Sequence, residues 1–212
     1  MSIVRICFFG DSITVGTGDG ACRGWPSYLC EASTNDGHDI SCYNLGIRAE
    51  TSVDVAKRWR IEAEPRLPPH VNGRLVFSFG LNDGADALGV GRRVAPEDSL
   101  STVSAMLAEA AAWQKTLWVG MTPPRIEPPS IEPGPGVRFT FYRERMADLN
   151  ERFKATAAKL GIDYIDLFSA LEDMPDWNRD MEAGDGVHPT AAGHQMMADI
   201  VRGTDAWQNL LS

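Results

Sequence analysis

Five short apolar runs recur along the chain, at Ile3–Phe9, Ile40–Asn44, Leu75–Phe79, Thr116–Met121 and Asp163–Asp166. Helical patterns lie between them, over about Trp25–Asn35, Thr51–Arg66, Pro96–Gln114 and Phe139–Leu160, and a last one spans about Thr190 to Arg202. A strand that always returns through a helix must pair in parallel with its neighbours, by right-handed crossovers. The runs are apolar throughout rather than alternating, as expected of strands covered on both faces. Thr51 and Asp54 have capping-box spacing, and Asp98 or Ser99 is a candidate cap for the third long helix.

Two segments interrupt the rhythm. Gly84–Pro96 reads as a loop after the third strand, and Thr122–Val137 carries six prolines with almost no periodicity. The second is too stiff for a flexible linker and too long for an ordinary turn. Since it leaves the carboxyl end of a strand, it is expected to form one wall of any cleft at that edge.

At 212 residues the chain suits one domain or at most two. Its net charge of −9 argues against nucleic acid or an anionic membrane as partner, and no apolar run approaches a bilayer span. Arg5 interrupts the first apolar run and no small-residue cleavage site follows, so no leader is expected and the cytoplasm is the expected compartment. Cys7 and Cys42 fall within strand runs, Cys22 and Cys30 lack the spacing of a zinc site, and all four are expected as reduced thiols.

Polar residues cluster where the strands end. The first run stops at Gly10-Asp11-Ser12-Ile13; Asn44-Leu45-Gly46 closes the second, and Gly80-Leu81-Asn82-Asp83 the third. Asp185-Gly186-Val187-His188-Pro189 precedes the last helix. A single Gly-Asp-Ser also describes an ordinary capped strand-to-helix turn. Four such motifs at one sheet edge are another matter, because ligands bind at the carboxyl edge of open α/β sheets. A serine hydroxyl is a poor nucleophile until a base takes its proton. Imidazole suits that task, and an adjacent carboxylate fixes its tautomer. Asp185 and His188, three apart, can meet across one turn. The backbone N–H groups of Ser12 and Gly46 and the Asn82 amide are suited to an oxyanion.

In order and spacing these four motifs, spanning residues 10 to 189, resemble the four blocks of the SGNH hydrolases, also called the GDSL family of esterases and lipases. The resemblance implies a flavodoxin-like three-layer α/β/α sandwich with a five-stranded parallel sheet, read here as a single domain over residues 1–212. It implies Ser12 as nucleophile, His188 as base and Asp185 as its orienting carboxylate, with Ser12, Gly46 and Asn82 as the oxyanion hole. It implies no metal and no organic cofactor. The chain departs from the family after Gly46. Relatives often carry another glycine about three residues on, whereas here the sequence runs Ile47-Arg48-Ala49-Glu50-Thr51. That difference bears on specificity.

Trp25, Arg48 and Arg125 are candidate substrate contacts. The other tryptophans are expected to be packing residues. His38, His70 and His194 are expected on the surface or in helix packing, and Asp11, Asp83 and Asn44 as loop-structuring residues. The expected activity is a serine esterase for small or short-acyl esters, thioesters or acetylated sugars included. An acyltransferase with the same triad is one alternative. The other is a flavodoxin-like nucleotide-binding module using the glycines of the Gly10–Gly20 loop.

Overall fold

The computed structural model describes residues 3–212. Five strands form one all-parallel sheet: β1 (Val4–Gly10), β2 (Ile40–Gly46), β3 (Asn72–Ser78), β6 (Lys115–Val119) and β9 (Asp163–Ile165), in the order β2-β1-β3-β6-β9. The remaining four, β4 (Asp86–Ala87), β5 (Gly91–Arg92), β7 (Ser130–Gly134) and β8 (Val137–Thr140), make a small antiparallel sheet ordered β5-β4-β8-β7. The parallel order is that of the flavodoxin-like doubly wound fold. The chain leaves β1 for β2 on one side and returns to β3 on the other, which puts the topological switch point between β1 and β3. Gly10 is in register with Gly46 on one side and Ser78 on the other, so all three strands end level.

Helices cover both faces. On one, α2 (Gly24–Asn35) packs against α9 (Ala191–Arg202), beside α10 (Asp205–Leu211); on the other lie α3 (Ser52–Ala63), α5 (Pro96–Trp113) and α6 (Arg143–Leu160). Shorter helices are α1 (Ser12–Val15), α4 (Leu81–Gly84), α7 (Leu167–Leu171) and α8 (Pro175–Ala183). Aromatic rings fill the layer between sheet and helices. Phe9 stacks on Phe77 at 5.6 Å, and Trp118 meets Phe153 at 4.7 Å between ring centres. Such side chains each contribute roughly 1.5–3 kcal/mol by leaving water. No helix among the described residues is long and apolar enough to cross a membrane.

Several strand and helix ends shift by one to three residues, as where β3 begins at Asn72 rather than Leu75, and two further differences have a clear cause. The third long helix is capped at Ala95 with Pro96 in its first turn, not at Asp98 or Ser99; proline's fixed φ suits that position and its missing N–H costs nothing there. The fourth begins at Arg143, not Phe139. Val137–Thr140 instead pairs with both β7 and β4, so the proline-rich segment is half hairpin rather than irregular loop. The Thr51–Asp54 capping box is present.

Candidate active site

Three side chains from opposite ends of the sequence form a line at the switch point. Ser12 opens α1, and Asp11 caps that helix by accepting the Ile13 N–H at 3.0 Å. His188 lies just before α9, its Nε2 2.8 Å from the Ser12 Oγ. Its Nδ1 is 2.7 Å from Asp185 Oδ2. The other Asp185 oxygen accepts the backbone N–H groups of Val187 and His188, at 2.9 and 2.8 Å. Burial alone would raise the Asp185 pKa, but the ring and backbone N–H bonds of His188 and the Val187 N–H outweigh it and hold it at about 2. The carboxylate is therefore only an acceptor at working pH. Nδ1 must carry the proton and donate it to Asp185, which leaves Nε2 to accept from the serine hydroxyl.

Asn82 sits on α4, just beyond β3. Its Nδ2 donates to Asp11 Oδ2 at 3.2 Å, and its Oδ1 accepts from Arg93 Nη1 at 2.7 Å. Asp11 is fully buried. Desolvation pushes its pKa up to about 6, against the opposing pull of the Ile13 N–H, His188 and the Asn82 amide. Asp83 also lies buried, its carboxylate accepting from the Ser52 N–H at 2.9 Å and from the hydroxyls of Ser52 and Ser99. It thus ties α4 to α3 and α5, a longer-range structural role than bonding within its own loop.

Gly46 is placed differently from the other two oxyanion candidates. Its N–H is already engaged, donating to Asn44 Oδ1 at 3.1 Å, while Asn44 Nδ2 donates to Thr14 O at 2.7 Å. Glycine is needed here for closeness: a Cβ would sit 2.8 Å from Asp11 O and press on the Val15 N–H. The sequence reading did not single out Ala49, three residues on. It is held in the left-handed region at φ 64, a conformation costing a non-glycine residue about 1–2 kcal/mol. Its N–H has no hydrogen-bond partner among the described residues, and its carbonyl accepts from Arg93 Nη2 at 2.6 Å. The departure from glycine at this point was visible in the sequence; the strain it carries was not.

The candidate substrate contacts separate. Trp25 is wholly buried, edge-on to Phe8 at 5.5 Å, so it is a core residue rather than a substrate contact. Arg48 is exposed on the loop after β2. Arg125 is half-buried, and its backbone N–H donates to Gly186 O at 2.8 Å, beside Asp185. His194 is a buried packing residue; its Nδ1 accepts the Trp25 N–H at 3.2 Å. No group of three His, Cys, Asp or Glu among the described residues is arranged to hold a metal ion.

A pocket of about 10 Å³ behind the Ser12 turn is lined by Asp11, Ile13, Leu81, Met121, Thr122 and neighbours, and is too small for an acyl chain. A larger groove of about 370 Å³ lies on the antiparallel sheet, between the β4–β5 hairpin and Tyr142.

Solved structures share this architecture. A lipase/acylhydrolase from Enterococcus faecalis matches with a TM-score of 0.70 at 22% identity, over 95% of this chain and 94% of its own. TesA matches at 0.68 and 22%, over 93% and 95%. A variant of an acetyl-xylooligosaccharide esterase from Geobacillus matches at 0.66 and 21%, over 98% and 94%. No curated protein matches the sequence. The profile of the GDSL-like Lipase/Acylhydrolase family matches residues 8–196, nearly the whole chain, and the protein therefore belongs to that family.

Proposed function

We propose that this single-domain protein is a serine esterase that works through an acyl-enzyme. The observation that carries this reading is the Ser12–His188–Asp185 line, with heavy-atom separations of 2.8 and 2.7 Å. In the proposed cycle, Ser12 Oγ attacks the ester carbonyl as His188 Nε2 takes its proton. The imidazolium then faces the Asp185 carboxylate, and returns the proton to the leaving alcohol. Water repeats the sequence on the acyl-enzyme. The Ser12 N–H, which has no protein partner among the described residues, and the Asn82 amide are the assigned oxyanion donors. With the Gly46 N–H bound to Asn44, the Ala49 N–H is the better candidate for a third.

Small or short-acyl substrates, thioesters and acetylated sugars among them, fit best. The pocket behind Ser12 holds only about 10 Å³, so an acyl chain has to lie in the open cleft. One structural neighbour is described as an acetyl-xylooligosaccharide esterase, which puts acetylated sugars on the substrate panel. Transfer of the acyl group to another alcohol is the same chemistry with a different second nucleophile. Nucleotide binding is disfavoured, because the Ala21, Arg23 and Gly24 N–H groups that could cradle a phosphate already bind the Asp19 carboxylate. The cytoplasm remains the proposed compartment, supported by four cysteines that stand as unpaired thiols.

The test is fluorophosphonate labelling with the adduct mapped by mass spectrometry, followed by p-nitrophenyl esters of rising chain length. The expected outcome is one adduct at Ser12 and kcat/KM highest for acetyl or butyryl esters. An adduct on another serine would overturn the assignment, and a preference for long chains would overturn the substrate class.

A further inference from the structure

We propose that Arg93 is a positioning residue that sets the orientation and donor strength of the Asn82 amide. The proposal rests on the oxyanion role assigned to Asn82 above. Arg93 follows β5, and its backbone is pinned by a 2.9 Å hydrogen bond from its N–H to Ala85 O. Its guanidinium lies 4.2 Å over the Phe139 ring, on a strand of the proline-rich hairpin. From there it donates to Asn82 Oδ1 at 2.7 Å and to Ala49 O at 2.6 Å.

A guanidinium can only donate, so the amide atom it meets must be oxygen, and Nδ2 is thereby turned the opposite way. There Asp11 Oδ2 takes one of its two protons at 3.2 Å, leaving the other for substrate. Next, Arg93 makes no ion pair within 4 Å among the described residues, although Asp54, Asp83 and Asp11 lie around it at longer range. An arginine that is half-buried and bonded to two neutral oxygens keeps its positive charge for its surroundings. That charge polarises the amide towards a stronger donor, in a setting where such fields are screened far less than in water. Finally, one side chain grips both the left-handed Ala49 turn and Asn82, which come from different loops. The relative placement of those loops depends on it, and oxyanion stabilisation depends on donors fixed before charge develops.

The test is a double-mutant cycle in the full-length enzyme with p-nitrophenyl acetate: Arg93→Met, Asn82→Ala, the double variant, Arg93→Lys as a milder change, and Ser12→Ala as control, each checked by thermal melting. Arg93→Met is expected to lower kcat about tenfold to a hundredfold with KM little changed, less than the 10²–10³ of removing an oxyanion donor itself. Arg93→Lys, which keeps the charge and one bond, is expected to recover part of that loss and serves if the methionine variant does not fold. In the Asn82→Ala background the Arg93 change should cost several-fold less than in the parent enzyme, because residues acting as a unit are not additive; what loss persists reports its hold on Ala49. Equal losses in both backgrounds, or a rise in KM alone, would mean a general structural role and overturn the proposal. An unchanged kcat in Asn82→Ala would overturn the oxyanion assignment and this proposal with it. An active Ser12→Ala would overturn the esterase mechanism itself.

Discussion

The Arg125 N–H donates to the Gly186 carbonyl at 2.8 Å, joining the proline-rich segment to the turn that presents Asp185 and His188. Gly186 is in the left-handed region at φ 80, and a Cβ there would stand 3.0 Å from Pro129 Cβ and 3.1 Å from Arg125 Cβ. Gly186→Ala should therefore cost about 1–2 kcal/mol of stability and displace His188 enough to lower kcat at least tenfold. Thermal melting and steady-state kinetics on one ester check both. Unchanged kcat alongside lowered stability would show that the turn tolerates movement.

Asp185→Asn isolates the tautomer. An amide in that place can offer its N–H to the ring, favouring the form with the proton on Nε2 and so unable to accept from Ser12. The expected loss in kcat is about 10⁴ with the melting temperature little altered, since the Asp185 side chain is 44% exposed. A fall of less than about tenfold would mean that the backbone alone orients His188.

Acid stability should be governed in part by His194. Desolvation lowers its pKa from 6.5, partly countered by its hydrogen bond to Thr17 O and by Asp19 and Asp180, with His188 adding to the lowering. A histidine with a depressed folded-state pKa contributes stability above pH 6.5 that is lost as pH falls below it. Asp11 acts in the opposite sense: raised from 3.8 to about 6, it stabilises on acidification through that window. His194→Gln, which can still accept and donate without titrating, should lose less melting temperature between about pH 7 and 5 than the parent protein. Parallel curves would assign the acid sensitivity elsewhere.

Positions 46 and 49 should respond oppositely to exchange between glycine and alanine. Gly46→Ala drives a methyl into the α1 backbone and should cost about 1–3 kcal/mol. Ala49→Gly relieves the strain at φ 64 and should gain up to about 1 kcal/mol, the remainder going to the entropy of a freer unfolded chain. Denaturant titrations of the two variants decide the signs.

The long elements were legible because each carried its own signal. Buried runs such as Ile6–Phe9, and α3 with its Thr51–Asp54 box, need no tertiary information to be read. The site was legible because Ser12, Asn82 and Asp185–His188 all adjoin element ends. Helix α8 was missed because only Trp177 and Met181 face inward, too thin a stripe to register as a period. Helix α10 did carry a signal, with Trp207, Leu210 and Leu211 spaced three and four apart behind a Thr204 cap. The hairpin of β7 and β8 was hidden by its prolines, which can sit in a strand only where no ladder N–H is required. Pro133 falls within the irregularity between Ile131 and Gly134. Arg93 was invisible because its partners, Asn82 and Ala49, are 11 and 44 residues away.

The antiparallel sheet takes β4 and β5 from one excursion of the chain and β7 and β8 from another, zipped together where Ala87 faces Phe139. One excursion begins beside Asn82 and the other is fastened at Gly186, so these two flanking excursions are halves of a single woven piece. Grafting either flank from a relative would unpick the other. Changes in substrate range along this lineage should therefore come as paired substitutions across the β4–β8 seam, and libraries that vary one loop at a time will sample mostly misfitted combinations.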